Sequence, residues 1–399
     1  MPEEVACILT VNAGSSSLKF ALFPRSDLAP RRLTGKFENI GLPDAKLKVM
    51  DFRGKTQERP LPLPNHAACL PQLFSLLSGA SIQIEAIGHR VVHGGPRYHD
   101  PQVIDQTTIA ELKRISDFAP EHLPVEIQLI EALVEHFPGV LQVACFDTAF
   151  HRTLDPVAKV LPIPRKYFGK GIYRYGFHGL SYSYLMRELG RLGGEAAAQG
   201  GVILAHLGNG ASMAAVRGGR SIDTTMAFTP AAGLVMSTRS GDLDPGLASY
   251  LMRTERMTAE RFHHMINEEA GLLGVSEISP DTRELLKREH VDSRAAEALA
   301  LFCYQARKWI GALAAALGGL DTLVFSGGIG ENASEIRARI CHGLQFLGVE
   351  LDENRNAKHE AVISKDGAAA TVRVIRTDEE LFIAQSVGDV LSKGQSASL

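Results

Sequence analysis

The chain has 399 residues, 45% hydrophobic and 22% charged, and its 42 basic and 45 acidic residues leave a formal net charge of −3. That length favours two domains of roughly 150–200 residues over a single core, and the near-neutral balance offers no polybasic stripe for a nucleic-acid backbone. No run approaches the ~20 apolar residues of a membrane-spanning helix, and the five scattered cysteines, without a C-x-x-C pair, suit neither a disulfide framework nor a zinc site.

The opening Met1-Pro2-Glu3-Glu4 carries acid where a secretory signal needs Lys or Arg, so the expected compartment is the cytoplasm. A strand is predicted over 7–11, broken by Asn12-Ala13-Gly14-Ser15-Ser16-Ser17 and resumed over 18–23. A turn of small, hydroxyl-bearing residues beside Lys19 suits a phosphate better than a plain hairpin. The proline-rich stretch 60–71 reads as a loop leading into a short helix at 72–77. Strands follow at 84–92 and 140–146, with helices 107–118 and 124–136 between them.

The apolar run 201–207 repeats the opening: it breaks at Gly208-Asn209-Gly210-Ala211-Ser212 and resumes over 213–216. We read a weak internal repeat, two domains that each open with a hairpin. The clearest helix covers 292–319, where Ala295, Leu299, Phe302, Ala306, Trp309, Leu313 and Leu317 recur at three to four, Asp292 caps the start and Gly318-Gly319 stops it. A buried strand at 320–325, a glycine-rich turn at 327–332, a helix from Ser334 and a last helix at 380–391, packing back on an earlier domain, complete the pattern. The alternation means α/β with mixed sheets.

Three turns after predicted strands, 12–17, 206–210 and 327–332, expose backbone N–H groups and are candidate anion cradles. No G-x-x-x-x-G-K-[ST] or G-x-G-x-x-G occurs, so a P-loop or Rossmann site is disfavoured. Arg90, followed by His93-Gly94-Gly95, and Arg239, within Ser237-Thr238-Arg239-Ser240-Gly241-Asp242, suit carboxylate or phosphoryl oxygens. Asp147 ends an apolar strand and either orients a substrate or caps a helix; taken alone, the cap is the commoner role. His178, among aromatics and glycines, is either a packed histidine or a donor to developing charge. His93, His99, His263 and His264 lack metal-ligand spacing, which argues against a zinc enzyme.

The strings VNAGSSSLKF, GHRVVHGG, FDTAFH, YRYGFHG, HLGNGAS, DTTMAFTPAAGL, TRSGDLDPG and SGGIGEN occur in the order, and near the spacing, of the acetate kinase family, so that the chain resembles that family from Ile8 to about Ala384. The resemblance implies two RNase H-like domains of the actin-like ATPase fold, shared with sugar kinases, Hsp70 and actin, with an interdomain nucleotide cleft. The first domain would be 1–150 with a returning helix at 380–399, the second 151–379. The implied reaction is reversible, Mg²⁺-dependent in-line transfer between ATP and acetate, giving acetyl phosphate and ADP, with Mn²⁺ as the alternative ion and a homodimer as the assembly.

By the same matching, Arg90, Asp147, His178 and Arg239 are the implied catalytic residues. Ser15, Ser17, Lys19, His206, Leu207, Gly208, Asn209, Gly210, Asp281, Thr282, Arg283, Gly328, Ile329, Gly330, Glu331 and Asn332 would bind nucleotide. Arg90, Val92, His122, Phe177 and Pro230 would form the acyl pocket, and Asn12 and Glu379 would hold the metal. The chemistry agrees: a loose phosphoryl-transfer transition state needs neutralised charge and alignment, and a carboxylate nucleophile with an ordinary pKa near ~4 needs no strong base.

The chain departs from the family pattern at Glu121, where an apolar residue usually lines the acyl pocket. Either Glu121 turns to solvent or the preferred acid differs from acetate. Asp378 adds an acid near the implied metal, and Ser237 replaces a usual glycine before Arg239. The rival readings are a propionate kinase, a non-catalytic ATP-binding switch, and a sugar kinase, the last disfavoured by the apolar Val92, Phe177 and Pro230.

Overall fold

The computed structural model describes residues 5–78 and 82–396, so the acidic start Met1-Pro2-Glu3-Glu4 lies outside the described residues. The chain divides into two compact units, Met1–Ala149 with Asp378–Leu399, and Phe150–Thr377. The first unit carries β1 (Val5–Ala13), β2 (Leu18–Pro24), β3 (Leu33–Glu38), β4 (Lys46–Met50), β5 (Thr56–Pro60), β6 (Ile82–Val91), β7 (Gln102–Val103) and β8 (Leu141–Phe146). The second carries β9 (Gly201–Leu207), β10 (Ala211–Arg217), β11 (Arg220–Thr224), β12 (Thr322–Ser326) and β13 (Thr371–Val374). The helices that matter below are α1 (Leu123–His136), α2 (Gly179–Gly193), α3 (Ser293–Leu317) and α4 (Glu379–Ser396).

Among the described residues the first sheet runs β5-β4-β3-β2-β1-β6-β8-β7 and the second β11-β10-β9-β12-β13. Within the first, the run β3-β2-β1-β6-β8 has the same directions as the whole of the second. In each, a three-stranded antiparallel meander is followed by two parallel strands. The hairpin repeat read from 7–23 and 201–216 is therefore a repeat of the entire five-stranded frame.

In the first unit β1 is buried along nearly its whole length because both faces are covered. Cys7, Leu9, Val11 and Ala13 point into a core with Leu129 and Leu133 of α1. On β6, Gly88 faces α4, where Ile383, Ala384 and Val387 are wholly buried. In the second unit Tyr182, Leu185, Met186 and Leu189 of α2 pack on Val202 and Leu204 of β9 and Val324 of β12. Asp292 caps α3 by accepting from the Arg294 N–H, and Gly318 ends it at φ 69°.

Two predictions need correction, and one group of strands was missed. The stretch 60–71 is not simply a loop: Pro60 closes β5, an exposed edge strand on which a missing N–H is tolerated, and His66–Cys69 forms a 3₁₀ turn. Strands β3 to β5 were not foreseen. Within β3, Gly35 replaces a side chain because the Phe20 ring of β2 fills that space. Finally, Gly327–Asn332 is a short helix rather than a turn, entered through Gly327 at φ 76°. No helix among the described residues is long and apolar enough to cross a membrane.

Candidate active site

The β1–β2 hairpin pairs Asn12 with Lys19 and Ala13 with Leu18, and its turn closes by a 2.7 Å bond from the Gly14 N–H to the Ser17 carbonyl. Ser15 is exposed at the tip and Ser17 is half-buried beside it. The Asn12 amide donates to Glu379 Oε2 at 2.8 Å and to Glu380 Oε1 at 2.9 Å. Both carboxylates occupy the first turn of α4, where the helix dipole favours negative charge. An Arg31–Asp378 ion pair fixes the residue before that turn, and Asp378 accepts the Leu381 N–H at 2.9 Å. Lys19 Nζ lies 3.8 Å from Glu380. The Glu380 carboxylate, seconded by Glu379, holds the half-exposed lysine above its ordinary pKa despite some desolvation and the nearby Arg90.

Arg90 stands at the carboxyl end of β6, and its guanidinium is fastened on several sides. Asp147, wholly buried at the end of β8, takes Nη2 at 2.6 Å and Nε at 3.1 Å on one carboxylate oxygen. Nη1 donates to the Ala13 carbonyl at 2.6 Å and to Glu126 Oε1 at 3.3 Å. Asp147 thus orients the Arg90 guanidinium. Burial opposes the charge on Arg90, yet Asp147, Glu126 and Glu379 together hold its pKa above the ordinary value.

Sequence reasoning missed Glu126. It lies in the first turn of α1, is 3% exposed, and accepts the Val92 N–H on Oε2 at 2.9 Å. Burial pushes its carboxyl up to about 7, with Asp147 adding to the rise and Arg90 and the Val92 amide opposing it. A carboxylate in the otherwise apolar stretch Leu123-Pro124-Val125-Glu126-Ile127 was the available signal. Val92 and His122 are buried nearby, and a small cavity is lined by Gly14, His66, Glu121, His122 and Glu126 among others. Glu121 therefore borders this cavity and is only partly exposed.

In the second unit the β9–β10 hairpin turns through Gly208-Asn209-Gly210, with the Gly208 N–H on the Gly210 carbonyl at 3.1 Å. His178 enters α2 in the left-handed region at φ 58°, and its ring stacks on His206 at 4.3 Å between centroids. Nδ1 of His178 bonds Ser212 Oγ at 2.9 Å, while His206 Nδ1 bonds Ser181 Oγ at 2.8 Å. Arg239 lies on a loop tied to the hairpin by the Ser237 N–H on the Asn209 carbonyl at 3.1 Å. A Cβ placed on Gly210 would lie 3.3 Å from His178 Nε2 and 3.6 Å from Arg239 Nη1; one on Gly208 would lie 3.7 Å from the Gly328 nitrogen. An imidazole and a guanidinium thus stand against Gly210, and a backbone amide against Gly208, at distances that leave no room for a side chain at Gly210 without displacing His178.

Phe177 and Pro230 are buried, and Pro230 presents its carbonyl to Arg239 at 3.4 Å. In Gly328-Ile329-Gly330-Glu331-Asn332 only Gly328 and Asn332 are exposed, while Ile329 and Gly330 are buried. Glu331 turns its carboxylate back onto the Gly327 and Thr377 N–H groups at 3.0 and 3.1 Å, and Asn332 donates to the Gly328 carbonyl at 2.9 Å. Asp281 caps the helix Thr282–Arg288, Thr282 is buried, and the exposed Arg283 folds its guanidinium onto Asp281 at 2.6 Å.

For a divalent cation, Asn12 and Glu379 offer an amide oxygen and a carboxylate, hard ligands of the kind Mg²⁺ prefers. No group of three or more His, Cys, Asp or Glu side chains is placed to hold a metal among the described residues. Mg²⁺ is commonly bound through one or two carboxylates together with substrate phosphates.

The sequence pattern of the Acetokinase family matches residues 7–385. A propionate kinase of Salmonella typhimurium is 41% identical over 389 residues, covering 95% of each chain. An acetate kinase of Nitrobacter hamburgensis is 43% identical over 400 residues, covering 98% of each. The crystal structure of Porphyromonas gingivalis acetate kinase aligns with a TM-score of 0.87 at 35% identity, covering 97% of this chain and all of the other.

Proposed function

The chain belongs to the acetokinase family, and is thereby an acetate or propionate kinase; within that activity we propose that it moves the γ-phosphoryl group reversibly between ATP and acetate in one in-line step. The observation that supports this most is the placement of His178 Nε2 and Arg239 Nη1 beside Gly210 and of the Gly328 amide beside Gly208. Such donors suit phosphoryl oxygens whose charge is redistributed in a loose transition state.

In this reading Arg90, oriented by Asp147, takes the acid's carboxylate, and Val92 and Phe177 meet its alkyl end. His178 and Arg239 donate to the phosphoryl group, while His206, Leu207, Gly208, Asn209, Gly210 and the Gly328–Asn332 segment bind nucleotide, with Ser15, Ser17 and Lys19 toward the phosphates. Asp281, Thr282 and Arg283 serve the nucleoside end. Asn12 and Glu379 would hold Mg²⁺, which when bound supplies charge neutralisation at the phosphates. The carboxylate attacks already ionised, so Asp147 accepts no proton. A homodimer is part of this reading: the helix Pro245–Thr254 buries none of its residues, and Leu243, Tyr250 and Met252 stay exposed for a second copy.

Glu121 favours a second reading, a preference for propionate or another acid, because it borders the cavity near Val92 instead of an apolar residue. The test is ATP- and Mg²⁺-dependent acyl phosphate formation trapped with hydroxylamine, comparing acetate, propionate and butyrate. Highest kcat/KM on acetate is the expected result, and Arg90→Ala or Arg239→Ala should each lose on the order of 2–4 kcal/mol of transition-state stabilisation. Preference for a longer acid would move the activity to that acid, and no hydroxamate from any would leave an ATP-binding switch.

A further inference from the structure

We propose that Glu126 is a positioning residue that sets the net charge around Arg90, so that an incoming carboxylate engages the guanidinium fully only when Glu126 carries a proton. This rests on the reading of Arg90 as the group that binds the acid.

Arginine has five N–H hydrogens. The bonds to Asp147 through Nε and Nη2, and to Ala13 and Glu126 through Nη1, use four of them. An acid bound at Arg90 therefore meets a guanidinium already shared by two carboxylates, and the trio carries one net negative charge while Glu126 is ionised. The two carboxylates are unequal. Asp147 grips at 2.6 Å, whereas Glu126 stands at 3.3 Å, the weaker contact and the one that can be given up.

Glu126 does not swing clear when it lets go. Its Oε2 is fixed by the Val92 N–H at 2.9 Å, so the available change is a proton on Oε1, the oxygen toward Arg90. Protonation makes the trio neutral and frees an Nη1 hydrogen for the substrate. The proton comes from solvent on binding and returns to it on release, so nothing is consumed.

The groups facing Glu126 permit this. From β6 comes Arg90, from the end of β8 Asp147, and from the β1 turn the Ala13 carbonyl. The His66–Cys69 turn brings His66, whose pKa burial lowers, and the segment before α1 brings Glu121 and His122. Glu379 acts on Arg90 from α4. Lys19 of β2 is coupled to Arg90 as well; apart from these two cations the surroundings are acidic or neutral, which fits a carboxyl that burial raises to about 7.

The test is the KM for acetate between pH 6.5 and 8.5, at saturating MgATP, in wild type and Glu126→Gln. The glutamine keeps an acceptor for Val92 and removes the charge. Wild-type KM should rise roughly tenfold across that range with kcat changing far less, and the variant's KM should stay low and flat, with KM for ATP equal in the two proteins. Proton uptake when acetate binds the wild type, measured in two buffers of different ionisation enthalpy, should approach one proton above pH 7.5. It decides the matter even if the variant folds poorly. A wild-type KM that is flat, an equal slope in Glu126→Gln, or no proton uptake would overturn the role of Glu126 while hydroxamate formation still upheld the kinase. Absence of hydroxamate with every acid would overturn both.

Discussion

Gly88→Ala is a one-carbon perturbation whose consequences run from β6 through α4 to the hairpin that carries Asn12. The added Cβ would lie 2.5 Å from Ile383 Cγ2 and 2.7 Å from Val387 Cγ2. Comfortable carbon contacts are about 3.5–4.0 Å, so roughly 1 Å must be found. Both side chains are wholly buried and β-branched, and branched residues in a helix hold essentially one rotamer, so α4 itself must shift. Overpacking of this kind costs about 1–3 kcal/mol, against about 0.4–1 kcal/mol gained by stiffening the unfolded chain.

The same shift displaces the first turn of α4, where Glu379 and Glu380 hold the Asn12 amide at 2.8 and 2.9 Å. A misplacement of about 1 Å in a positioning element can cost up to ~100-fold in rate. We expect Gly88→Ala to melt several degrees below wild type and to lose on the order of tenfold or more in acyl phosphate formation. Ile383→Ala or Val387→Ala in the Gly88→Ala background should then cost markedly less than in wild type, with a coupling above about 1 kcal/mol. Unchanged melting and turnover in Gly88→Ala, or strict additivity in the cycles, would refute the reasoning.

Two further outcomes follow from buried polar groups. Arg337 is wholly buried and donates to the Gly330 and Glu331 carbonyls at 2.9 and 3.0 Å and to Asn356 Oδ1 and O at 2.9 and 2.8 Å. Arg337→Met would strand these acceptors; a stability loss of about 3 kcal/mol or more and a raised KM for ATP, with KM for the acid unchanged, should show in melting and steady-state assays. His89 and His151 are lowered by burial to about 4 and His93 to about 3. Below about 6.5 the unfolded chain takes up protons that these folded imidazoles refuse, so stability present above pH 6.5 should fall as pH drops toward 4. A melting temperature unchanged from pH 7 to 5 would contradict this.

Much of the frame was legible because its signals are local. The 3.6-residue period and the flanking Asp292 and Gly318 are enough to define α3, and the apolar runs interrupted by Asn12 or Gly208 define both hairpins. β3, β4 and β5 escaped because their stability is borrowed. β5 is exposed throughout, and β3 contains Gly35, whose missing side chain makes sense only once Phe20 is seen across the strand pair. The segment Gly327–Asn332 looked like a turn from its three glycines, yet Glu331 caps its own start by accepting the Gly327 N–H and so favours a helix.

The site divides along the same line. Asp147 could be read only as the end of a strand, with a helix cap the commoner role; what places it beside Arg90 is register, Arg90 pairing with Cys145 and Val91 with Phe146, two and one residues before the aspartate's position. Glu126 has no such register, since it reaches Arg90 from a helix, α1, that a long connection separates from the end of β6. What marks it is the conflict of a carboxylate placed where α1 should be apolar, and burying that charge is unfavourable unless a partner or a proton compensates. Here both are at hand: Arg90 lies within 3.3 Å, and the carboxyl is raised to about 7. A residue that is merely structural would be better served by leucine, and one that only anchored the arginine would sit as close as Asp147 does. The intermediate distance and the raised pKa together are what a proton-dependent contact requires, which is why Glu126→Gln, rather than removal of Arg90, separates the grip on the acid from the grip on the fold.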